Sequence, residues 1–249
     1  MKSINNYISE KLVINKNTGK KHYNYFPKTK DELHKIIKQR IAEEGNECNL
    51  NDIDMSKIKS MSYLFYGTNF NGDISQWDVS NVENMEWMFC SSSFTGDISQ
   101  WDVSNVKSMY FMFGKSKFNG DISTWNLESI YELSHMFEHS EFNNDISNWN
   151  VSNALYMNDM FRSSKFNQDI SKWDVSNVKD MSSMFEDSEF NQDISNWNVS
   201  EVRNMSRMFY NSKFNQDISK WNINIDAAIR AIFTKTPLEG KTYTWWKRL

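Results

Sequence analysis

Seven aspartates stand at one spacing in this chain: Asp73, Asp97, Asp121, Asp145, Asp169, Asp193 and Asp217, each opening a D-I-S-x-W motif. Stacked about 5 Å apart, such carboxylates repel one another and need a compensating group. Calcium could serve, but it takes roughly six or more oxygens, and each motif offers one Asp with Asn or Ser neighbours. The backbone could serve equally: Asp, with Asn71, Asn119 or Asn143 in the adjacent column, accepts N–H bonds that close a turn. The oxygen supply favours the turn.

Other reactive side chains are sparse. The histidines are His22, His34, His135 and His139, and neither Cys48 nor Cys90 holds a fixed relation to any of them, so no nucleophile and base pair is legible. The cysteines form no CxxC and read as reduced, ordinary side chains. His135 and His139 lie four apart in an expected helical segment and could share a metal; with no third ligand evident, they read as surface residues. No GxSxG or phosphate-cradling glycine loop occurs, and the chain has only 8 glycines. The expectation is a protein that is not an enzyme and carries no cofactor or metal.

What must position these residues is a repeat. Tryptophan recurs every 24 residues from Trp77 through Trp101, Trp125, Trp149, Trp173, Trp197 and Trp221, and Trp245 falls on the same grid. Upstream, "NLNDIDMSKIKSMSYLF" aligns as a degenerate first copy, with Ile53 in the tryptophan slot. Within one unit the apolar slots are Phe70, Ile74, Trp77, Val79, Val82, Met85, Met88 and Phe89. Trp77 and Val79, two apart, suit one face of a short strand, and from Val82 the spacing of three and four suits a helical or 3₁₀ turn. The layout predicts an α/β repeat solenoid of leucine-rich-repeat type, about eight coils each with a short parallel strand, spanning roughly 40 Å. The tryptophans, in phase with Ile74 and Val79, read as stacked core rather than as a carbohydrate platform.

The string "FNQDISKWDVSNVKDMSSMF" from Phe166 resembles the BspA-like leucine-rich repeat proteins, specifically the Mycoplasma-type surface-protein repeat, and the likeness runs over about residues 49–233. The resemblance implies a leucine-rich-repeat solenoid with a protein-binding or adhesive role, and it brings no catalytic residues. Surface members of that family carry export signals or lipid anchors. "MKSINNYISEKLVINKNTGKKHYNYF" has neither an apolar signal core nor a cleavage site. A cytoplasmic location is therefore expected, with the cell surface as the alternative if a leader was removed. No apolar segment of about 18 residues suggests a membrane span.

Residues 1–48 read as an N-terminal cap over the first coil, residues 49–233 as the array and 234–249 as a C-terminal cap. "KLVINKNTGKKHYNYF" suggests a β-hairpin about its Lys-Asn-Thr-Gly turn. "TKDELHKIIKQRIAEEG" suggests a helix with a Thr29/Glu32 capping box, an apolar face of Leu33, Ile36, Ile37 and Ile41, and a stop at Gly45. At the far end "TYTWWKRL" is expected to close the stack.

Copying fails most in the slot before the second core methionine, which holds Tyr63, Trp87, Phe111, His135, Asp159, Ser183 and Arg207. Tyr110 in the neighbouring slot and Tyr66 three residues on add to an aromatic stripe confined to the early coils. Aromatic-rich surface is what interface hot spots are made of, so Tyr63, Tyr66, Trp87, Tyr110 and Phe111 are the candidate partner-binding residues. The competing reading has residues 1–48 folded over the stripe as an internal contact. On the Trp77–Val79 side the outward slots are polar and mildly acidic, running from Gln76 and Asp78 to Lys220 and Asn222.

Charge narrows the partner. The chain carries a formal net charge of -4, but residues 49–226 hold 13 basic and 25 acidic residues, a net of -12 between basic ends. Such a body repels a phosphate backbone, which argues against direct nucleic-acid binding, and attracts a basic protein. The functional expectation is a protein–protein interaction module with a cytosolic partner, in its most specific form an inhibitor of phage counter-defence type that occupies a basic nucleic-acid-binding groove. The alternative is a bacterial surface adhesin or structural surface protein.

Overall fold

The computed structural model describes residues 22–243. Most of the expected hairpin, Trp245 and most of "TYTWWKRL" lie outside that range. From His22 onward the N-terminal segment lies against the first coil: Tyr25 bridges Ile53 in parallel, and the Asn24 N–H donates to the Asp52 carbonyl at 2.8 Å.

Helix α1 spans Lys30–Glu44 and is the one helix among the described residues. Thr29 starts it, its hydroxyl oxygen accepting the Glu32 N–H at 3.2 Å. The Glu32 carboxylate answers from the other side, but takes the N–H of Lys28 (2.7 Å) rather than that of Thr29. Gly45 ends the helix at φ +90°, a conformation that suits glycine, with its N–H on the Ile41 carbonyl. Leu33 and Ile37 are buried in the common core. Arg40, on the same side, is also buried: it reaches both Asp52 oxygens (3.0 and 3.2 Å), the Asn49 carbonyl at 2.9 Å and the Glu44 carboxylate. A buried guanidinium with every partner satisfied ties the helix to the first coil.

The array is a repeat solenoid, but its coils are built differently from the strand-plus-helix expectation. No strand forms at Trp77–Val79: the Trp77 N–H turns back to the Ile74 carbonyl (3.1 Å) and the Val82 N–H to Val79 (2.8 Å). The segment after Val82 is no helix either. Its N–H groups divide by parity: Met85, Trp87, Phe89 and Ser91 donate to Ser108, Tyr110, Met112 and Gly114 of the next coil, while Met88, Cys90 and Ser92 donate back to Met85, Trp87 and Phe89. Half the donors thus stitch coil to coil and half close overlapping turns. Apart from Tyr25–Ile53 and Asn49–Asp73 at the N-terminal end, parallel bridges reduce to one position per coil, running Ser60, Asn84, Ser108, Glu132, Tyr156, Asp180, Asn204 and Ala228. A run of three-residue-spaced turns places apolar side chains on one side much as a helix does, so the spacing alone could not separate the two.

Inside, identical rings stack along the axis. Phe65, Phe89, Phe113 and Phe137 follow one another at 5.5, 5.6 and 5.8 Å between centroids, within 7° of parallel. The tryptophans are buried, as the phase argument required, and each has a second task. The Trp101 indole N–H donates to the Ile74 carbonyl at 3.2 Å and Trp149 to Ile122 at 2.9 Å, always one coil back. The aspartate column closes turns, as its oxygen supply suggested: Asp121 Oδ1 accepts both the N–H (2.9 Å) and the hydroxyl (2.7 Å) of Ser123, and Asp73 does the same with Ser75. Asn71, Asn119 and Asn143 accept the backbone N–H of the equivalent residue in the following coil, each at 2.8 Å. At the far end Leu238 and Tyr243 are buried, Tyr243 lying 5.6 Å from Phe233. No helix among the described residues is long and apolar enough to cross a membrane.

Candidate protein-binding face

The overlapping turns also set the variable face. In every coil the slot of Tyr63, Trp87, Phe111, His135, Asp159, Ser183 and Arg207 has φ between +54° and +64°, left-handed backbone on a non-glycine residue. The cost of about 1 kcal/mol or more for each is offset by the coil-to-coil bond that its N–H makes, for example Trp87 to Tyr110 at 2.9 Å. Identical backbone in each coil stacks the side chains of this slot in register.

The five predicted residues do come together. Tyr63 and Trp87 are parallel at 5.8 Å, and Trp87 and Phe111 at 4.1 Å. Tyr66 meets both Tyr63 and Trp87 edge-on at 5.8 and 5.9 Å, and Tyr110 meets Trp87 edge-on at 5.8 Å. The result is a ridge of rings rather than a flat platform. Its ends differ: Tyr63 and Tyr66 keep 47% and 50% of their surface exposed, whereas Phe111 keeps 9%. Phe111 is therefore packing more than contact surface. It lies flat because Gly114 beneath it has no side chain; a Cβ there would sit 2.4 Å from Phe111 Cδ1.

Residues 1–21 of the competing internal-contact reading lie outside the described residues; helix α1, the described part of that segment, approaches the ridge without closing it. Lys30 Nζ donates to the Ser62 hydroxyl at 3.1 Å, next to Tyr63, yet both outer tyrosines remain half open.

Missed in the sequence was the continuation of the ridge. His135 is a fourth ring, stacked on Phe111 at 4.5 Å, and beyond it the face becomes an ion network. His135 Nδ1 pairs with Glu138 (2.7 Å) and Nε2 faces Asp159 (3.7 Å). Arg162 bridges Asp159 (3.3 Å) and Glu186 (3.6 Å). Glu186 is fully buried, and Arg207 grips it with two bonds of 2.8 and 2.6 Å while Ser183 donates a third. Burial alone would raise the Glu138 carboxyl, but the bond and charge of His135, with His139 and Arg162, hold it below the ordinary range. At Asp159 burial, helped by Glu138, wins over His135, Asn158 and Arg162 and raises the carboxyl. His135 and His139 share a carboxylate, Glu138, in a run of turns rather than on a helix. A signal for this network existed: the column of Tyr66, Cys90, Gly114, Glu138, Arg162, Glu186 and Tyr210 alternates acid and base beside Asp159 and Arg207.

Stacked coils with a constant core, a constant polar side and a side that changes from rings to ions define a repeat solenoid with a variable face. The family described as "Mycoplasma protein of unknown function, DUF285" matches residues 33–141, 114–167 and 133–246, and the chain belongs to that family. No curated protein and no solved structure matches it.

Proposed function

We propose that this chain is a non-enzymatic protein-interaction module that docks a basic protein on its variable face, with Tyr63, Tyr66, Trp87 and Tyr110 as the contact and Phe111 as their support. One observation carries the reading. The same slots hold internally paired ions in the later coils and half-exposed rings with no ionic partner in the first. Ring-rich, rigid and partly desolvated surface of this kind is where interface energy concentrates. The net charge of -12 on residues 49–226 supports a basic partner. The most specific form is an inhibitor of a cytosolic nucleic-acid-handling enzyme whose basic groove the array enters. The second reading, a surface adhesin, rests on the sequence resemblance to BspA-like leucine-rich repeats alone; the matched family is one of unknown function.

Placing the photo-crosslinker p-benzoylphenylalanine at position 63, and separately at position 148 on the polar side, tests the reading in host lysate. Crosslinks to a basic soluble protein from position 63 and none from 148 are expected. Crosslinks from 148 alone overturn the docking face, and capture of cell-envelope components alone transfers the function to the adhesin reading.

A further inference from the structure

Tyr210 and Tyr66 occupy the same slot, six coils apart. Over the Tyr210 ring lie two cations: Arg207 at 3.8 Å from the stripe slot of its own coil, and Lys235 at 5.3 Å from the next coil. At Tyr66 the register puts Tyr63 where Arg207 stands and Ser91 where Lys235 stands. Lys30, which reaches the neighbouring Ser62, is held by its hydroxyl at 3.1 Å. Among the described residues no cation lies over Tyr66, and half of its surface stays open.

Resting on the docking reading above, we infer that Tyr66 is the seat of an arginine side chain supplied by the basic partner, reproducing from outside the pairing that the chain makes internally at Tyr210. Three features fit this occupant. A guanidinium stacks on a tyrosine face while its edges stay free for carboxylates. Tyr63 and Trp87 meet Tyr66 edge-on and hold its ring in place. Acidic charge lies farther along the ridge, where Glu132, Glu138 and Asp159 add to burial in raising the Tyr110 hydroxyl, and suits the remaining cations of a basic partner.

The test uses the full chain and a fluorescent hexa-arginine peptide, read by anisotropy, with thermal melts to establish that each variant is folded. Tyr66→Phe keeps the ring and Tyr66→Leu removes it, neither changing charge; Tyr156→Leu removes an exposed tyrosine from a different column. Expected are wild-type affinity for Tyr66→Phe and Tyr156→Leu and about fivefold weaker binding for Tyr66→Leu, the scale of one partly desolvated cation–π contact. Equal binding by Tyr66→Leu and wild type, or equal weakening by Tyr66→Leu and Tyr156→Leu, overturns the inference. If crosslinks from position 63 persist in that case, the docking reading survives without an arginine seat; if they are absent too, both fall.

Discussion

Phe111 lies face to face with His135, their centroids 4.5 Å apart and their planes within 12°. Here the hydrophobic ridge of the early coils passes into the charged network of the later ones without a break. One face of His135 packs on carbon while its two nitrogens address Glu138 and Asp159. The variable face is thus one continuous stack whose chemistry changes along the axis.

Two glycines separate backbone from side-chain obstruction. A Cβ at Gly72 would meet the Cys48 carbonyl oxygen at 2.0 Å, whereas at Gly114 it meets the Phe111 ring. Gly72→Ala is expected to cost about 3 kcal/mol, because backbone must move, and Gly114→Ala about 1–2 kcal/mol as the ring swings aside. Urea midpoints measure both, and Gly114→Ala should also increase the exposure of the Phe111 ring.

Trp149→Phe removes the indole N–H and leaves the Ile122 carbonyl without that donor in the core. The loss of the bond and of buried area is expected to cost roughly 2–4 kcal/mol. A drop below 1 kcal/mol in urea unfolding would show that the indole N–H bond contributes little to the stack.

Acid should loosen the turns. The serine N–H and then the serine hydroxyl hold Asp121, Asp145, Asp169, Asp193 and Asp217 below the ordinary aspartate value of 3.8. A folded value below the unfolded one stabilises the fold above the ordinary value, and the contribution is lost as pH falls through the folded values. Glu138 and Glu186 add the same sign and Asp159 the opposite. The urea midpoint should therefore fall steadily as pH is lowered from about 6 to about 2; a flat profile contradicts the turn assignment.

Arg207→Ala takes away the two-bond partner of Glu186, whose side chain is 2% exposed, and leaves it with Ser183 and Arg162. A loss of about 2 kcal/mol is expected, less than for a fully buried pair because Arg207 itself is half exposed. The double variant Arg207→Ala/Glu186→Gln should recover part of that loss, since it no longer buries a charge that has lost its two-bond partner.

The sequence by itself determined the 24-residue coil, the inward slots from Phe70 to Phe89, the structural task of the Asp and Trp columns, the helix from Thr29 to Gly45 and the five clustered aromatic residues. Each is repeated or locally signalled, and in-register stacking converts a sequence column directly into a spatial one. Arg40 escaped because its partners Asp52 and Asn49 lie on the next element. Arg207 escaped because its partner Glu186 lies in the preceding coil, and the local His135–Glu138 pair because a spacing of three does not tell a turn from a helix. Only the tertiary structure decided that Met85, Trp87, Phe89 and Ser91 point their N–H groups along the axis, making turns instead of a helix, and that Tyr66 stands open where Tyr210 is covered. Both outcomes depend on what the adjacent coil offers, a carbonyl in one case and a cation in the other, and the spacing within a coil carries no record of that.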